Sequence, residues 1–360
     1  MSIEERKNDH IDICLDQNVN TYRNWWDDVR MIHSALPVCD MDDVKLDIRL
    51  LGKDLKAPLI ISSMTGGSSK AKRYNEMLAR AAGEFGIGMG IGSQRACLER
   101  DQHRSSYEVV KDYDVPLMLA NVGAPQMSDI LSDGSPNRGR YDSEMIRKAV
   151  DMVEADGVCI HLNYLQEVVQ PEGETRVAGV LDNISDLSSE FNLIAKETGA
   201  GISRDTALEL KNAGISAIDV GGLSGTSFAA VESFRDGRSA SRVGKTFWDW
   251  GIPTPVSVLE CDVGLPLIST GGLRNGLDIA RSLSLGASAG GMAWTLLKAA
   301  SGGYDQLRET ISNIVYELRA AVFLSGERSC TDMGLQNCVI TGDTSEYARV
   351  IRGMRKNRAG

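Results

Sequence analysis

The sequence predicts a (β/α)8 barrel of the TIM type, flanked by an N-terminal cap segment and a C-terminal extension. Three observations predict it. From Ala57 to about Leu324, eight short apolar runs alternate with amphipathic stretches of helical period. The runs are almost uninterrupted in apolar or small residues, as parallel strands buried on both faces require. Nearly every run ends in glycine or polar side chains, which is where a barrel gathers its chemistry. A doubly wound open sheet is the rival architecture, and it too places ligands at strand C-termini.

Taken in order, residues 1–56 precede the barrel and are expected to cap it, with Arg6-Lys7 near a terminus that folds back. The expected strands are 58–63, 87–91, 116–120, 158–161, 193–195, 217–220, 266–269 and 288–292. Helical patterns fill the gaps at 71–84, 143–155, 184–190, 204–212, 276–284 and 304–324, and the crossover around 105–111 is short. The barrel therefore occupies 57–325. The segment 223–256 is long for a strand-to-helix loop, and Trp248, Trp250, Pro253 and Pro255 mark it as an ordered lid. Residues 326–360 form a C-terminal extension of mixed character.

Composition bounds the function. Charged residues make up 24% of the 360-residue chain and apolar ones 42%, ordinary for a soluble protein with a large core. The net charge is -10 with no Lys/Arg-rich block, which argues against nucleic acid as a partner. No apolar run approaches the ~18 residues of a membrane span, and Met1-Ser-Ile-Glu-Glu-Arg-Lys7 lacks signal-peptide character. The seven cysteines form no CxxC pair and are odd in number. A reduced, cytoplasmic setting is expected, and Cys159 reads as a small core residue.

The most informative stretch is His161-Leu-Asn-Tyr-Leu-Gln-Glu167, which follows the apolar run Gly157-Val-Cys-Ile160. An imidazole, amides and a carboxylate appear together where a buried strand ends. They read as a substrate-gripping cluster, or as a helix N-terminus with an acid in its first turn. Far away, Thr270-Gly-Gly-Leu-Arg-Asn-Gly276 has the form of a phosphate cradle running into a helix N-terminus, with Gly290-Gly291 as its second half. Loops after the seventh and eighth strands are the habitual phosphate site of such barrels.

The other strand ends could hold the body of a phosphorylated cofactor. Lys196 offers a fixed charge for an electron-rich ring, or else the cation of an ion pair with a strand-end acid. Asn121, Ser93 and Thr226 offer neutral hydrogen-bonding groups. Arg6, Lys7, Ser93, Gln94, Arg95, His161 and Asn163 form a second group, suited to an anionic substrate such as a diphosphate. On their own, Arg6 and Lys7 read as a solvated terminal charge pair. Glu167 is the candidate metal ligand, and one carboxylate suits Mg2+ shared with substrate phosphates better than zinc.

With these motifs in place, the chain resembles the type 2 isopentenyl-diphosphate Δ-isomerases, FMN-dependent enzymes of isoprenoid biosynthesis. The resemblance rests on Arg6-Lys-Asn-Asp-His10, Met64-Thr-Gly-Gly67, Gly92-Ser-Gln-Arg95, Asn121-Val-Gly123, His161-x-Asn-x-x-Gln-Glu167, Lys196-Glu-Thr-Gly199, Gly225-Thr226 and Gly271-Gly-Leu-Arg274. It implies that FMN meets Ser63, Met64, Thr65, Ser93, Asn121, Lys196, Thr226, Gly271, Gly272, Gly290 and Gly291. It implies that the substrate diphosphate meets Arg6, Lys7, His10, Ser93, Gln94, Arg95, His161 and Asn163. Gln166 would lie beside the allylic carbons as the catalytic position and Glu167 would bind Mg2+. The resemblance further implies reduction of FMN by NADPH without net redox, and a homo-oligomer, tetramer or octamer, acting on isopentenyl and dimethylallyl diphosphate.

Moving a double bond needs a proton added at one carbon and removed from another. Gln166 does not titrate usefully, so its part is positioning or relay, which favours the flavin as acid and base. An FMN-dependent oxidoreductase of a small anionic substrate is the alternative, with His161 and Arg95 gripping a carboxylate. A non-catalytic nucleotide sensor would leave Gln166 and Glu167 without a purpose.

Overall fold

The computed structural model describes residues 3–101, 103–235 and 238–358, so the outer ends of the expected flanking segments, 1–2 and 359–360, lie outside it. Eight parallel strands close on themselves. They are β1 (Leu59–Ile61), β2 (Gly88–Gly90), β3 (Met118–Gly123), β4 (Gly157–His161), β5 (Leu193–Lys196), β6 (Ala217–Asp219), β7 (Leu267–Thr270) and β8 (Ala289–Met292). Each pairs with the next, and β8 pairs with β1 through Gly291 and Ile60. All eight expected strands are present. Of their residues His161 alone is less than fully buried, because it stands at the strand end where the barrel opens.

Inside the barrel Ile60, Leu119, Cys159, Ile194, Ala217, Ile268 and Ala289 form one apolar cluster. Leu50 and Leu55 join it from an antiparallel hairpin, Ile48–Leu50 and Lys53–Leu55, which plugs the N-terminal end. Full burial of a leucine is worth roughly 1.5–3 kcal/mol, so this plug is part of the core rather than decoration. Around the barrel, the helix Ser69–Phe85 starts where the Ser68 side chain accepts from Ala71 N–H. It stops at Gly86, whose φ of 64° is left-handed and suits glycine. The helices Arg204–Asn212, Gly276–Ser284 and Tyr304–Leu324 match their sequence periods end to end, whereas the expected 184–190 begins earlier, at Val180.

The two flanks form one layer. Val29–Met31 pairs antiparallel with Cys338–Ile340, and the Asp28 carboxylate accepts from Thr344 N–H (3.0 Å) and from its hydroxyl (2.8 Å). At the C-terminal end of the barrel lies the helix Ile3–Asp16, held where Trp294 Nε1 donates to Cys14 O at 2.7 Å. Residues 223–256 carry the helices Phe228–Phe234 and Arg238–Thr246, and Thr254 opens a third, Thr254–Glu260. Trp248 stacks on Tyr22 and donates to Asn20 O, tying this segment to the N-terminal one. Among the described residues no helix is long and apolar enough to cross a membrane.

Candidate active site

The strand C-termini open on a cavity of about 510 Å³. Its wall is built from strand ends in turn: Ser63, Met64 and Thr65 after β1, Ser93 and Arg95 after β2, and Asn121 in β3. His161, Asn163, Gln166 and Glu167 come from β4, and Lys196 from β5. Thr226, Gly271, Gly272 and Gly291 complete the circuit, while Arg6, Lys7 and His10 close it from the helix Ile3–Asp16.

Two expected residues stand elsewhere. Gln94 is fully buried away from the cavity: its Nε2 donates to Ala149 O at 2.8 Å and its Oε1 accepts from Asn121 N–H at 2.9 Å. Its side chain braces β3 and does not line the cavity. Gly290 points outward, since a Cβ there would meet Leu273 and Ile279 in the helical layer, while one on Gly291 would meet Thr270 and Ser62. The period of two along a strand separates the neighbours.

Of the expected phosphate cradle, Gly271, Gly272 and Gly291 line the cavity, but the helix that it runs into has few donors left. The first turn of Gly276–Ser284 is already satisfied: Gly276 N–H donates to Glu317 at 2.8 Å, and Asp278 N–H to Asn275 at 2.9 Å. The Asp278 carboxylate, itself fully buried, accepts from Arg274 N–H and from the Arg274 and Arg281 side chains, so it occupies that N-terminus itself. The helix Trp294–Ser301 after β8 is different. Its N-cap residue Ala293 provides no side-chain acceptor, and Ala293, Trp294 and Thr295 line the cavity beside Gly271 and Gly272. An anion fits the open first-turn N–H groups of that helix.

Electrostatics divide the wall. Lys196 Nζ lies 2.8 Å from Asp219 Oδ2; burial works against its charge, but Asp219 outweighs that and raises its pKa. Lys196 is therefore both the cation of an ion pair and a charged wall residue. Lys7 Nζ donates to Ser93 O and Tyr107 Oη, each at 2.7 Å, and burial, then Arg6, pushes its pKa down to about 7. His161 is held neutral, its pKa pushed down to about 3 by burial and by Lys196, Lys7 and Arg95. Asn121 Nδ2 donates to Ile91 O, so Asn121 Oδ1 accepts from His161 Nδ1–H at 2.7 Å, and Nε2 carries the lone pair.

Glu167 is buried, which raises its pKa, and accepts from Asn163 Nδ2 (2.7 Å), Gln170 Nε2 and Glu174 N–H (2.7 Å). Beside it Asn163 Oδ1 is buried without a partner, as are Ser62 Oγ and Thr65 Oγ1 on the same cavity wall. Buried unpaired oxygens at a cavity mark places where a ligand completes the bonding. Among the described residues no group of three or more His, Cys, Asp or Glu side chains could hold a metal.

No family model matches the chain. The isopentenyl-diphosphate delta-isomerase of Thermoplasma acidophilum is similar to it, at 45% identity across 94% of this chain and 97% of the relative. The chain belongs to the isopentenyl-diphosphate delta-isomerase family. The Methanococcoides burtonii member is 44% identical over 96% of this chain and 95% of its own. Solved structures that resemble it show the barrel fold alone. A flavocytochrome b2 variant covers 92% of this chain and 83% of its own, with TM-score 0.66 and 13% identity. A mandelate oxidase variant with an FMN adduct covers 91% and 94%, with TM-score 0.59 and 16% identity.

Three acids of this isopentenyl-diphosphate delta-isomerase family member escaped the sequence reading. Asp219 ends β6, and the strand-end rule that found Lys196 could have found it. Glu232 lies in the long segment after β6, on Phe228–Phe234, and no motif signals it. It is fully buried and accepts from Gln166 Nε2 at 2.8 Å, with His10 Nε2 2.9 Å away. Burial alone would raise its pKa, but His10, Gln166 and Arg235 hold it down at about 2. Glu174 joins Arg95 to Glu167.

Proposed function

We propose that the protein interconverts isopentenyl and dimethylallyl diphosphate with a bound FMN in its reduced form. One observation carries the reading: a single cavity presents two anion-seeking sectors. The open turn of Trp294–Ser301 with Gly271, Gly272 and Gly291 suits the FMN phosphate. Arg6, Lys7 and Arg95 suit the substrate diphosphate. A cavity of about 510 Å³ lies within the usual ~300–1,000 Å³ of ligand pockets. A phosphorylated cofactor and a phosphorylated substrate together explain both sectors.

The residues fit FMN. Ser62 Oγ and Thr65 Oγ1 wait for partners, and Lys196, kept charged by Asp219, can face an electron-rich ring. When bound, a reduced flavin supplies a ring able to give and take the proton that the 1,3-shift requires. NADPH is the reductant in this reading, needed to prime the enzyme and not consumed by turnover. Gln166 orients the carbon skeleton, and the ionised Glu232 fixes its amide. Glu167 Oε1 and Asn163 Oδ1 offer hard oxygens to Mg2+ on the diphosphate, with remaining ligands from phosphate and water. Ile11, Leu273, Phe228 and Trp294 give the cavity apolar walls that keep water from a cationic hydrocarbon.

The test is direct. The purified protein should carry or tightly bind FMN, seen in its visible spectrum and by titration. Under anaerobic reducing conditions it should convert isopentenyl diphosphate to its isomer. A protein that binds no FMN, or takes FAD instead, contradicts the cradle.

A further inference from the structure

Both guanidinium groups of the candidate diphosphate grip meet one short turn, and Arg95 is also held through its Nε by Glu99 at 2.8 Å. Glu174 accepts from Arg95 Nη2 at 2.5 Å and from Gln126 Nε2 at 2.8 Å. Its own N–H donates to Glu167 Oε2 at 2.7 Å. Two residues earlier, Glu172 pairs with Arg6 at 3.6 Å and with Arg235 at 2.6 Å. Between them, a Cβ on Gly173 would lie 1.7 Å from Glu167 O, so the chain returns over the helix Tyr164–Val169 only because residue 173 is glycine.

Two carboxylates beside an anion site oppose anion binding by simple Coulomb repulsion. Arginine, however, is a long chain with a rigid fork, and ordering it costs rotamer entropy. Fixing one edge of the fork beforehand removes that cost from the binding step. We propose that the turn Glu172-Gly173-Glu174 is a positioning element for the substrate diphosphate. Glu172 sets Arg6, the Glu174 carboxylate sets Arg95, and the Glu174 N–H sets Glu167, so one turn places the cationic grip and the metal-facing carboxylate together. This rests on the isomerase reading above for the identity of the ligand, but its contacts do not depend on that reading.

The two effects of Glu174 have opposite signs, which makes the proposal testable with Glu174→Gln. The amide keeps the size but accepts from only one of Arg95 and Gln126 and turns a donor toward the other. Repulsion alone predicts tighter anion binding in the variant, and positioning predicts weaker. The probe is inorganic pyrophosphate with Mg2+, titrated calorimetrically into the FMN-loaded protein. We expect affinity about tenfold lower, a matching rise in KM for isopentenyl diphosphate, and little change in kcat. Tm should fall little and the visible spectrum should stay as in the parent, since the Glu174 side chain is partly exposed. Gly173→Ala, which displaces the whole turn, should weaken pyrophosphate binding further. Unchanged or tighter binding in Glu174→Gln, or a parent protein that ignores pyrophosphate, overturns the proposal. A parent that binds pyrophosphate, loses it on substitution, yet isomerises nothing sinks the isomerase reading and leaves the positioning role standing.

Discussion

Lys196 and Asp219 face each other across β5 and β6 in strict register, with Nζ and Oδ2 2.8 Å apart and both side chains almost wholly buried. Thr270 from β7 donates to the other carboxylate oxygen and accepts from Gly221 N–H, so three adjacent strands share one polar knot. An ion pair of this kind does more than satisfy a charge. It keeps an ammonium group at the cavity wall that burial alone would neutralise.

Asp219→Asn should therefore act on stability and cofactor together. Breaking a buried pair by removing one partner costs about 3–5 kcal/mol, because the other charge stays uncompensated. Thermal unfolding should show that loss, and FMN titration should show weaker binding as Lys196 loses the partner that fixes it. Parent-like Tm and FMN affinity would mean that the pair is incidental.

Glu232→Gln should spare binding and slow the reaction. Glu232 touches Gln166 and His10, so its replacement loosens the Gln166 amide, which we propose orients the substrate. A misplaced group can cost up to about 100-fold in rate, and we expect kcat to fall by about 10–100-fold with pyrophosphate affinity retained. Arg235, which also pairs with Glu232, adds a stability loss that thermal unfolding measures separately. A variant with the parent's kcat would remove Glu232 from the mechanism.

Much of this architecture was legible in the chain because buried parallel strands leave continuous apolar runs and strand ends leave polar ones. That rule singled out Lys196, Asn121 and His161, all of which line the cavity. It could not resolve single positions: inward and outward residues alternate along a strand, which put Gly290 on the outer side, and the loop after β2 turns the Gln94 side chain back to Asn121 N–H and Ala149 O. Nor could it rank helix N-termini. Gly276–Ser284 follows the more glycine-rich loop, yet Asp278 and Glu317 consume its donors, and the plainer Trp294–Ser301 is left open. Glu232 and Glu174 were invisible because an isolated acid in a loop looks solvated until the chain folds over it.

Affinity for pyrophosphate should fall as pH rises above 7. In the free protein Lys7 gives up its proton near pH 7, since burial and Arg6 disfavour the charge. A bound diphosphate favours the ammonium form, so the complex keeps that proton and binding takes one up above pH 7. Below pH 7 the group is charged in both states and contributes fully. Titrations in buffers of different ionisation enthalpy report the uptake, and Lys7→Met should abolish the part due to this residue. Identical pH dependence in parent and variant would contradict it.

Glu167→Gln should weaken Mg2+-dependent pyrophosphate binding while leaving FMN affinity nearly intact. Mg2+ requires the charge, which the amide lacks. Were Glu167 only a structural acid accepting from Asn163, Gln170 and Glu174 N–H, the variant would lose stability in thermal unfolding with no change in Mg2+ dependence. Equal Mg2+ dependence in the two proteins would leave the metal role without support.

The central claim is that a flavin site here performs a reaction with no net redox, and one ratio tests it. With FMN bound and oxygen excluded, NADPH oxidised is measured against dimethylallyl diphosphate formed over many turnovers. The account predicts one priming reduction per active site followed by product formation with no further oxidation. Stoichiometric oxidation of NADPH with each product molecule would contradict it and make the protein an oxidoreductase.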